Sequence, residues 1–241
     1  MLVSHLHKFI YIKTSKAAGT SIEYYFEKFC MPPGEWKKTQ YPDEYRDEYI
    51  SDTGMIWSRG KTLRFGFGDD RPINYTGWNN WNRMPASEVK KRLSNERWDE
   101  YFKFCAIRNP WDQVISKFYW EKSNANKPVL DLASERREFE DWCVAQILIK
   151  DTNHTVSDMY TIDNKFCLDD VIRYESLESD MARICAKIGV PWEPKLLPKF
   201  KSGIRPANAS ISNLHTDTTI GLVAKLFAFE IETFKYTLYN I

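Results

Sequence analysis

Within six residues, Lys16 to Ser21, the chain sets one lysine, one glycine and two hydroxyl side chains, with only alanines between them. Such a set suits an anion. A helix N-terminus leaves backbone N–H groups unpaired and carries the positive end of the macrodipole, so a turn of small residues there admits a phosphate or sulfate close to the backbone. Gly19 removes a side chain, Thr20 and Ser21 add O–H donors, and Lys16 adds a mobile cation. The phosphate loop of nucleoside triphosphatases places its lysine directly after the last glycine and before Ser or Thr. Here Lys16 precedes Gly19 by three, which leaves a kinase or triphosphatase with weak support. A second set is Arg108 and Ser116: an arginine fork and a hydroxyl suit a second, separate phosphate. Taken alone, an ordinary strand-to-helix turn competes with the first reading, and a surface arginine beside an ordinary helix serine competes with the second.

Both sets need the same positioning elements. Phe9 to Ile12 is an apolar run rich in β-formers, and Ile22, Tyr25, Phe26 and Phe29 recur behind it at helical spacing, so the Lys16–Ser21 turn joins a strand to an amphipathic helix. Phe104 to Ile107 is another apolar strand. It ends at Arg108, after which Asn109 and Pro110 read as N-cap and first helical residue. Ligands of open α/β sheets bind outside the carboxyl ends of the strands, where Lys16 and Arg108 both fall if the two strands are parallel neighbours. Elsewhere the pattern predicts helices over Glu88–Leu93, Glu135–Lys150, Leu177–Ile188 (stopped by Gly189 and Pro191) and Ile220–Phe234, and strands at Thr62–Phe67 and Val171–Tyr174. The second of these helices takes its apolar face from Phe139, Trp142, Cys143, Ile147 and Ile149.

At this point the chain resembles the sulfotransferases that use 3′-phosphoadenosine 5′-phosphosulfate (PAPS), and in particular their carbohydrate-modifying branch related to heparan sulfate 2-O-sulfotransferase. KTSKAAGTSIE (Lys13–Glu23) looks like the 5′-phosphosulfate loop and RNPWDQVIS (Arg108–Ser116) like the 3′-phosphate motif. MPASEVKKRL (Met84–Leu93) and DDVIRYESLESDM (Asp169–Met181) match further family blocks in the same order. The resemblance covers nearly the whole chain. It implies a P-loop-like three-layer α/β fold with a central parallel sheet flanked by helices, in a single domain over 1–241, and an activity moving a sulfuryl group from PAPS to an acceptor hydroxyl, most naturally of a carbohydrate. Carried over, Lys16 is the catalytic residue that holds the transferring sulfate, Ala18, Gly19, Thr20 and Ser21 bind the 5′-phosphosulfate, and Arg108 and Ser116 grip the 3′-phosphate. The family's C-terminal loop adds a basic contact, for which KFKSGIRP offers Lys201 and Arg205. No metal is expected.

The acceptor side departs from the family. Relatives carry a histidine before the small-residue block as the proposed base, whereas WNRMPASE has Arg83 there, and arginine does not release its proton at neutral pH. Asp69, Asp70, Glu88 and His154 are candidate substitutes. The alternative function is a nucleotide-binding relative without catalytic activity. Residues 31–82 read as an irregular acceptor-side insertion in which Trp57, Trp78 and Trp81 either stack on sugar rings or fill a core, and Arg83 suits an anionic acceptor.

Composition narrows the partners. With 34 basic and 33 acidic residues among 241, no basic stripe is available for extended nucleic-acid binding, so any anion site is local. The five cysteines form no C-x-x-C pair and read as reduced core thiols of a cytoplasmic protein. MLVSHLHKF has no continuous apolar region of a signal peptide, and no stretch approaches the roughly 20 apolar residues of a membrane span.

Overall fold

A computed structural model describes residues 1–36, 49–56, 84–150, 156–200 and 202–239. In chain order its strands are β1 (Leu2–Ser4), β2 (Phe9–Ile12), β3 (Tyr49–Ser51), β4 (Gly54–Ile56), β5 (Phe102–Ile107), β6 (Thr161–Ile162), β7 (Lys165–Phe166) and β8 (Asp170–Arg173). Its α-helices are α1 (Gly19–Glu27), α2 (Ala86–Arg92), α3 (Asn95–Glu100), α4 (Pro110–Asn124), α5 (Leu132–Lys150), α6 (Leu177–Lys187), α7 (Ile211–Leu214), α8 (Asp217–Leu226) and α9 (Ala228–Phe234). They fall into two compact units, Met1–Ile107 with Asp158–Phe200, and Arg108–Ser157 with Lys201–Ile241.

The first unit is built on a six-stranded sheet ordered β3-β4-β1-β2-β5-β8, with β6 and β7 as a separate ribbon. β2 and β5 are parallel neighbours, Ile12 facing Cys105, and β5 is parallel to β8. Phe9, Tyr11, Phe104 and Ala106 turn one face toward Ile22 and Phe26 of α1 and Met181 and Ile184 of α6. Ile10, Ile12 and Cys105, on the other face, are fully buried too. Burial on both faces explains why these strands read as continuous apolar runs rather than as alternation. Phe104 anchors the layer, 5.3 Å from both Tyr11 and Phe26 between ring centroids.

The α/β class with a central sheet is as expected, but the sheet is mixed rather than parallel throughout. β1 runs antiparallel to both β2 and β4, and β3 antiparallel to β4. The four residues between Ser4 and Phe9 permit only a hairpin, because a parallel return needs a crossover of a dozen or more residues. β3 and β4 belong to the 31–82 stretch, which therefore supplies two strands of the sheet. The strand expected at Thr62–Phe67 lies outside the described residues. On the far edge α6 stops as predicted, Gly189 taking a left-handed φ of 67° just beyond it.

The second unit is helical. Asn109 caps α4, its side-chain oxygen accepting from Trp111 N at 3.1 Å and Asp112 N at 3.4 Å, with Pro110 at the first helical position. α5 begins three residues before the expected Glu135, because the Asp131 carboxylate accepts from the Ala133 and Ser134 amides at 3.1 Å each. Phe139 and Cys143 of its predicted apolar face are buried. The side chains of Ile147 and Ile149 lie outside the described set. Lys122 of α4 joins α5 through Glu135 and Glu138, the latter at 2.5 Å. The single helix predicted over Ile220–Phe234 is instead α8 and α9. A Thr216–Thr219 capping box starts α8 earlier, and buried Phe227 (φ −115°, ψ 28°) interrupts the run with no glycine or proline to mark the break. His215, just ahead of α8, is buried edge-on against Phe139, with Nε2 3.1 Å from Trp111 O; burial pushes its imidazole down to about 4.

Among the described residues no helix is long and apolar enough to cross a membrane. All five cysteines are unbridged.

Candidate functional site

The Lys16–Ser21 turn starts from two fixed points. Lys13, buried at the end of β2, donates to a Glu23 carboxylate oxygen on α1, and the Thr14 hydroxyl donates to Ala106 O of the neighbouring β5. Burial alone would raise the Glu23 carboxyl, but Lys13 and the Met1 ammonium, 2.6 Å away, hold it below its ordinary value. Lys13 is therefore a structural cation, and Lys16 is the lysine carried on the turn itself.

Between Thr14 and α1 the backbone is strained. Lys16 (φ 60°) and Ala18 (φ 57°) both adopt left-handed conformations, which cost an L-residue roughly 1–2 kcal/mol each. Strain of this kind gathers at ligand sites, and left-handed residues alternating with right-handed ones turn successive N–H groups into an anion-binding concavity. Ala18 is the N-cap of α1 and brings no side-chain cap, in contrast to Asn109 at α4. Ala18 thus contributes no side-chain acceptor to the N–H groups of the first turn of α1. A Cβ on Gly19 would lie 2.8 Å from Thr14 O and 3.0 Å from Lys13 Cγ, so glycine is what lets α1 start hard against the strand end. Thr20 is half-buried. Ser21 Oγ accepts from the Phe200 amide at 3.3 Å, and Tyr24 packs edge-on against the Phe200 ring. That bond uses a lone pair of Ser21 and leaves its O–H as a donor.

In the second unit, Arg108 is the first residue after β5. Its Nε and Nη2 lie 2.6 and 2.5 Å from Asp112 Oδ2, one helical turn on. Arg205 donates to the other oxygen, Oδ1, from Nη1, and from Nε to Ala209 O at 2.5 Å. One carboxylate thus holds two guanidiniums. Burial would raise the Asp112 carboxyl, yet the Arg108 and Arg205 charges hold it below its ordinary value. It also sits in the first turn of α4, where the macrodipole favours an anion. Ser116 follows one turn further along α4, half-buried. Asp112 was not among the residues that sequence reasoning selected, although its i+4 spacing from Arg108 was a usable signal. Lys201, the other basic candidate, lies outside the described residues.

The acceptor candidates Arg83, Trp57, Trp78 and Trp81, and the possible bases Asp69, Asp70 and His154, also lie outside the described residues. Glu88 is described. Its carboxylate meets Lys91 at 2.7 Å and Arg92 at 2.8 Å, and hydrogen bonds from these two cations lower its pKa. A general base at neutral pH calls for the opposite shift, so Glu88 serves α2 as an ion-pair residue. Among the described residues no group of His, Cys, Asp and Glu could hold a metal ion.

The anion turn of the first unit and the two-arginine cluster of the second, each taken by itself, can be compared with known proteins. An uncharacterized protein of Archaeoglobus fulgidus is 28% identical over 111 residues, covering 46% of this chain and 86% of the relative. No solved structure matches. The profile of the sulfotransferase family matches residues 1–237, spanning both compact units, the anion turn and the Arg108 cluster alike. On that match the chain belongs to the sulfotransferase family, whose members transfer sulfuryl groups.

Proposed function

We propose that this sulfotransferase takes its sulfuryl group from PAPS and delivers it to a hydroxyl, most naturally of a carbohydrate. The observation that carries the reading is the Lys16–Ser21 turn: two left-handed non-glycine residues lead into α1, whose N-cap residue, Ala18, has no side chain to cap it. The 5′-phosphosulfate is assigned to Lys16 and to the residues Ala18, Gly19, Thr20 and Ser21. The 3′-phosphate is assigned to Arg108 and Ser116, with Arg205 and Lys201 as the basic contribution of the C-terminal loop. A single catalytic domain over 1–241 is part of the proposal.

The donor supplies a sulfuryl group already bonded to a phosphate leaving group. The acceptor hydroxyl oxygen forms the new S–O bond and releases its proton to solvent, the bridging S–O bond breaks, and the leaving phosphate keeps that electron pair. Charge then grows on the leaving oxygen and spreads over the equatorial sulfuryl oxygens. Preorganised N–H donors and an ammonium aimed at that charge lower the barrier, so catalysis here is chiefly positioning plus electrostatic stabilisation. Lys16 suits the moving charge, being a compact ammonium on a flexible stem. Arg108 and Arg205 suit a group that stays put, being planar forks held by Asp112.

A second reading, a nucleotide-binding relative without catalytic activity, is favoured by Arg83 in the position where relatives carry histidine. Two measurements test these readings. 3′-Phosphoadenosine 5′-phosphate (PAP) should raise the melting temperature by mass action, and adenosine 5′-phosphate (AMP) should do much less. Equal shifts would remove Arg108 and Ser116 from the site. Incubation with radiolabelled PAPS and a panel of glycans then separates transfer from binding alone.

A further inference from the structure

Lys13 follows β2 directly, and its buried side chain runs along the first turn of α1. A Cβ placed on Gly19 would meet Lys13 Cγ at 3.0 Å and Lys13 Cε at 3.6 Å, and Nζ then reaches the carboxylate of Glu23, about one helical turn further on. Glu23 is buried as well. Its Oε2 takes Lys13 and its Oε1 takes the Met1 ammonium at 2.6 Å. Ile22 and Phe26 press α1 onto the sheet, but apolar contact is non-directional and sets how closely a helix packs rather than how it is rolled about its axis. A charged hydrogen bond is directional. Packed apolar side chains in place of a buried ion pair are often neutral or stabilising, so stability alone is a poor account of an ion pair at this position. Ile22 N–H bonds back to Ala18 O at 3.1 Å, and the N–H groups of Gly19, Thr20 and Ser21 precede the helix's own ladder.

We propose that Lys13 and Glu23 are positioning residues for the donor site: their ion pair fixes the roll of α1 against the end of β2, and with it the direction in which the N–H groups of Gly19, Thr20 and Ser21 point. The inference rests on the 5′-phosphosulfate reading given above. Neither side chain touches the nucleotide. Lys13 holds the cradle from below, and Lys16 meets the transferring group.

The two halves of the pair carry opposite charges, which separates geometry from electrostatics. Lys13→Met keeps the stem against Gly19 and removes a positive charge; Glu23→Gln removes a negative one. On charge alone the first weakens nucleotide binding and the second tightens it, whereas loss of the pair's geometry weakens binding in both. Calorimetric titration of the full chain should show PAP binding about 10-fold or more weaker in each variant, with AMP weakened by the same factor, because the two nucleotides share the 5′ end and the 3′ contacts are untouched. Glu23→Gln that binds PAP as tightly as wild type or more tightly overturns the proposal, and so does a loss confined to PAP. A role in stability alone would lower the melting temperature and leave the affinity of the folded protein unchanged. Should either variant fail to fold, Glu23→Asp decides: it keeps both charges and shortens the reach by one methylene, so PAP and AMP should again weaken together, and wild-type affinity for both overturns the pair. The 5′-phosphosulfate reading has its own control. Wild type that binds neither nucleotide sinks that reading and takes the pair with it, while wild type that binds both, with Glu23→Gln or Glu23→Asp unaffected, sinks the pair alone.

Discussion

Gly19→Ala tests the geometry of the anion turn with one added methyl group. The new Cβ would sit 2.8 Å from Thr14 O and 3.0 Å from Lys13 Cγ, well inside the roughly 3.5–4.0 Å at which nonbonded heavy atoms attract. Neither neighbour yields readily. Thr14 O is backbone, and its residue is tied to Ala106 O, while Lys13 is tied to Glu23. Overpacking of this kind costs about 1–3 kcal/mol, and the better helix propensity of alanine returns at most about 1 kcal/mol. The net is a destabilisation of about 1–2 kcal/mol, which for a chain of this size lowers Tm by about 2–8 °C. Because α1 must move away from the strand end, its first N–H groups move too, and PAP affinity should fall about 10-fold or more. Gly221→Ala is the control. Gly221 lies in α8, a Cβ there meets nothing within 4 Å, and the same substitution should stabilise by up to about 1 kcal/mol. Urea unfolding and calorimetric titration of both variants read the two effects. If Gly19→Ala were as stable as wild type and bound PAP equally well, the close approach of α1 to Thr14 would not be what shapes the turn.

Further outcomes follow from the other residues. Arg108→Ala should weaken PAP binding about 10- to 100-fold, the worth of hydrogen bonds to a charged group, with kcat changed less; a loss confined to kcat would reassign Arg108. His215, with its pKa lowered to about 4, is buried neutral, so its contribution to stability is complete above its unfolded pKa near 6.5 and is lost as pH falls toward 4. The shift corresponds to about 3 kcal/mol, of which about 2 kcal/mol is lost by pH 5. Urea unfolding at pH 7.5 and pH 5 should show that loss in wild type and little of it in His215→Gln; equal losses would contradict the assignment. Arg83→Ala should raise KM for acidic glycans and leave PAP binding intact, whereas unchanged constants with both an acidic and a neutral acceptor would leave Arg83 as a flanking charge.

The parts legible in the sequence are those fixed within a few residues. Phe9–Ile12 and Phe104–Ile107 announce themselves because strands buried on both faces are apolar throughout, and Asn109–Pro110 carries its own capping chemistry. β1 is too short, at three residues, to show a period, so the antiparallel half of the sheet was not foreseen. The break at Phe227 has no local marker, and it is settled by burial of that ring within the helical unit. Lys13 and Lys16 look alike in sequence, and only the pairing of Lys13 with Glu23 tells the structural lysine from the one on the turn. The Asp112 cluster joins Arg108 to the distant Arg205, a contact that no local pattern reports.

Transfer of label from radiolabelled PAPS to a glycan panel, by wild type and by Lys16→Ala at saturating donor, tests the central claim most directly. The Lys16 ammonium is assigned to charge that develops as the bridging S–O bond breaks, so the contact strengthens in the transition state and its loss should appear in turnover. Wild type should label at least one hydroxyl-bearing glycan, and Lys16→Ala should do so about 10²- to 10³-fold more slowly, with a much smaller change in PAP affinity. Wild type that binds PAP yet labels no acceptor, or Lys16→Ala that turns over at the wild-type rate, would contradict the account.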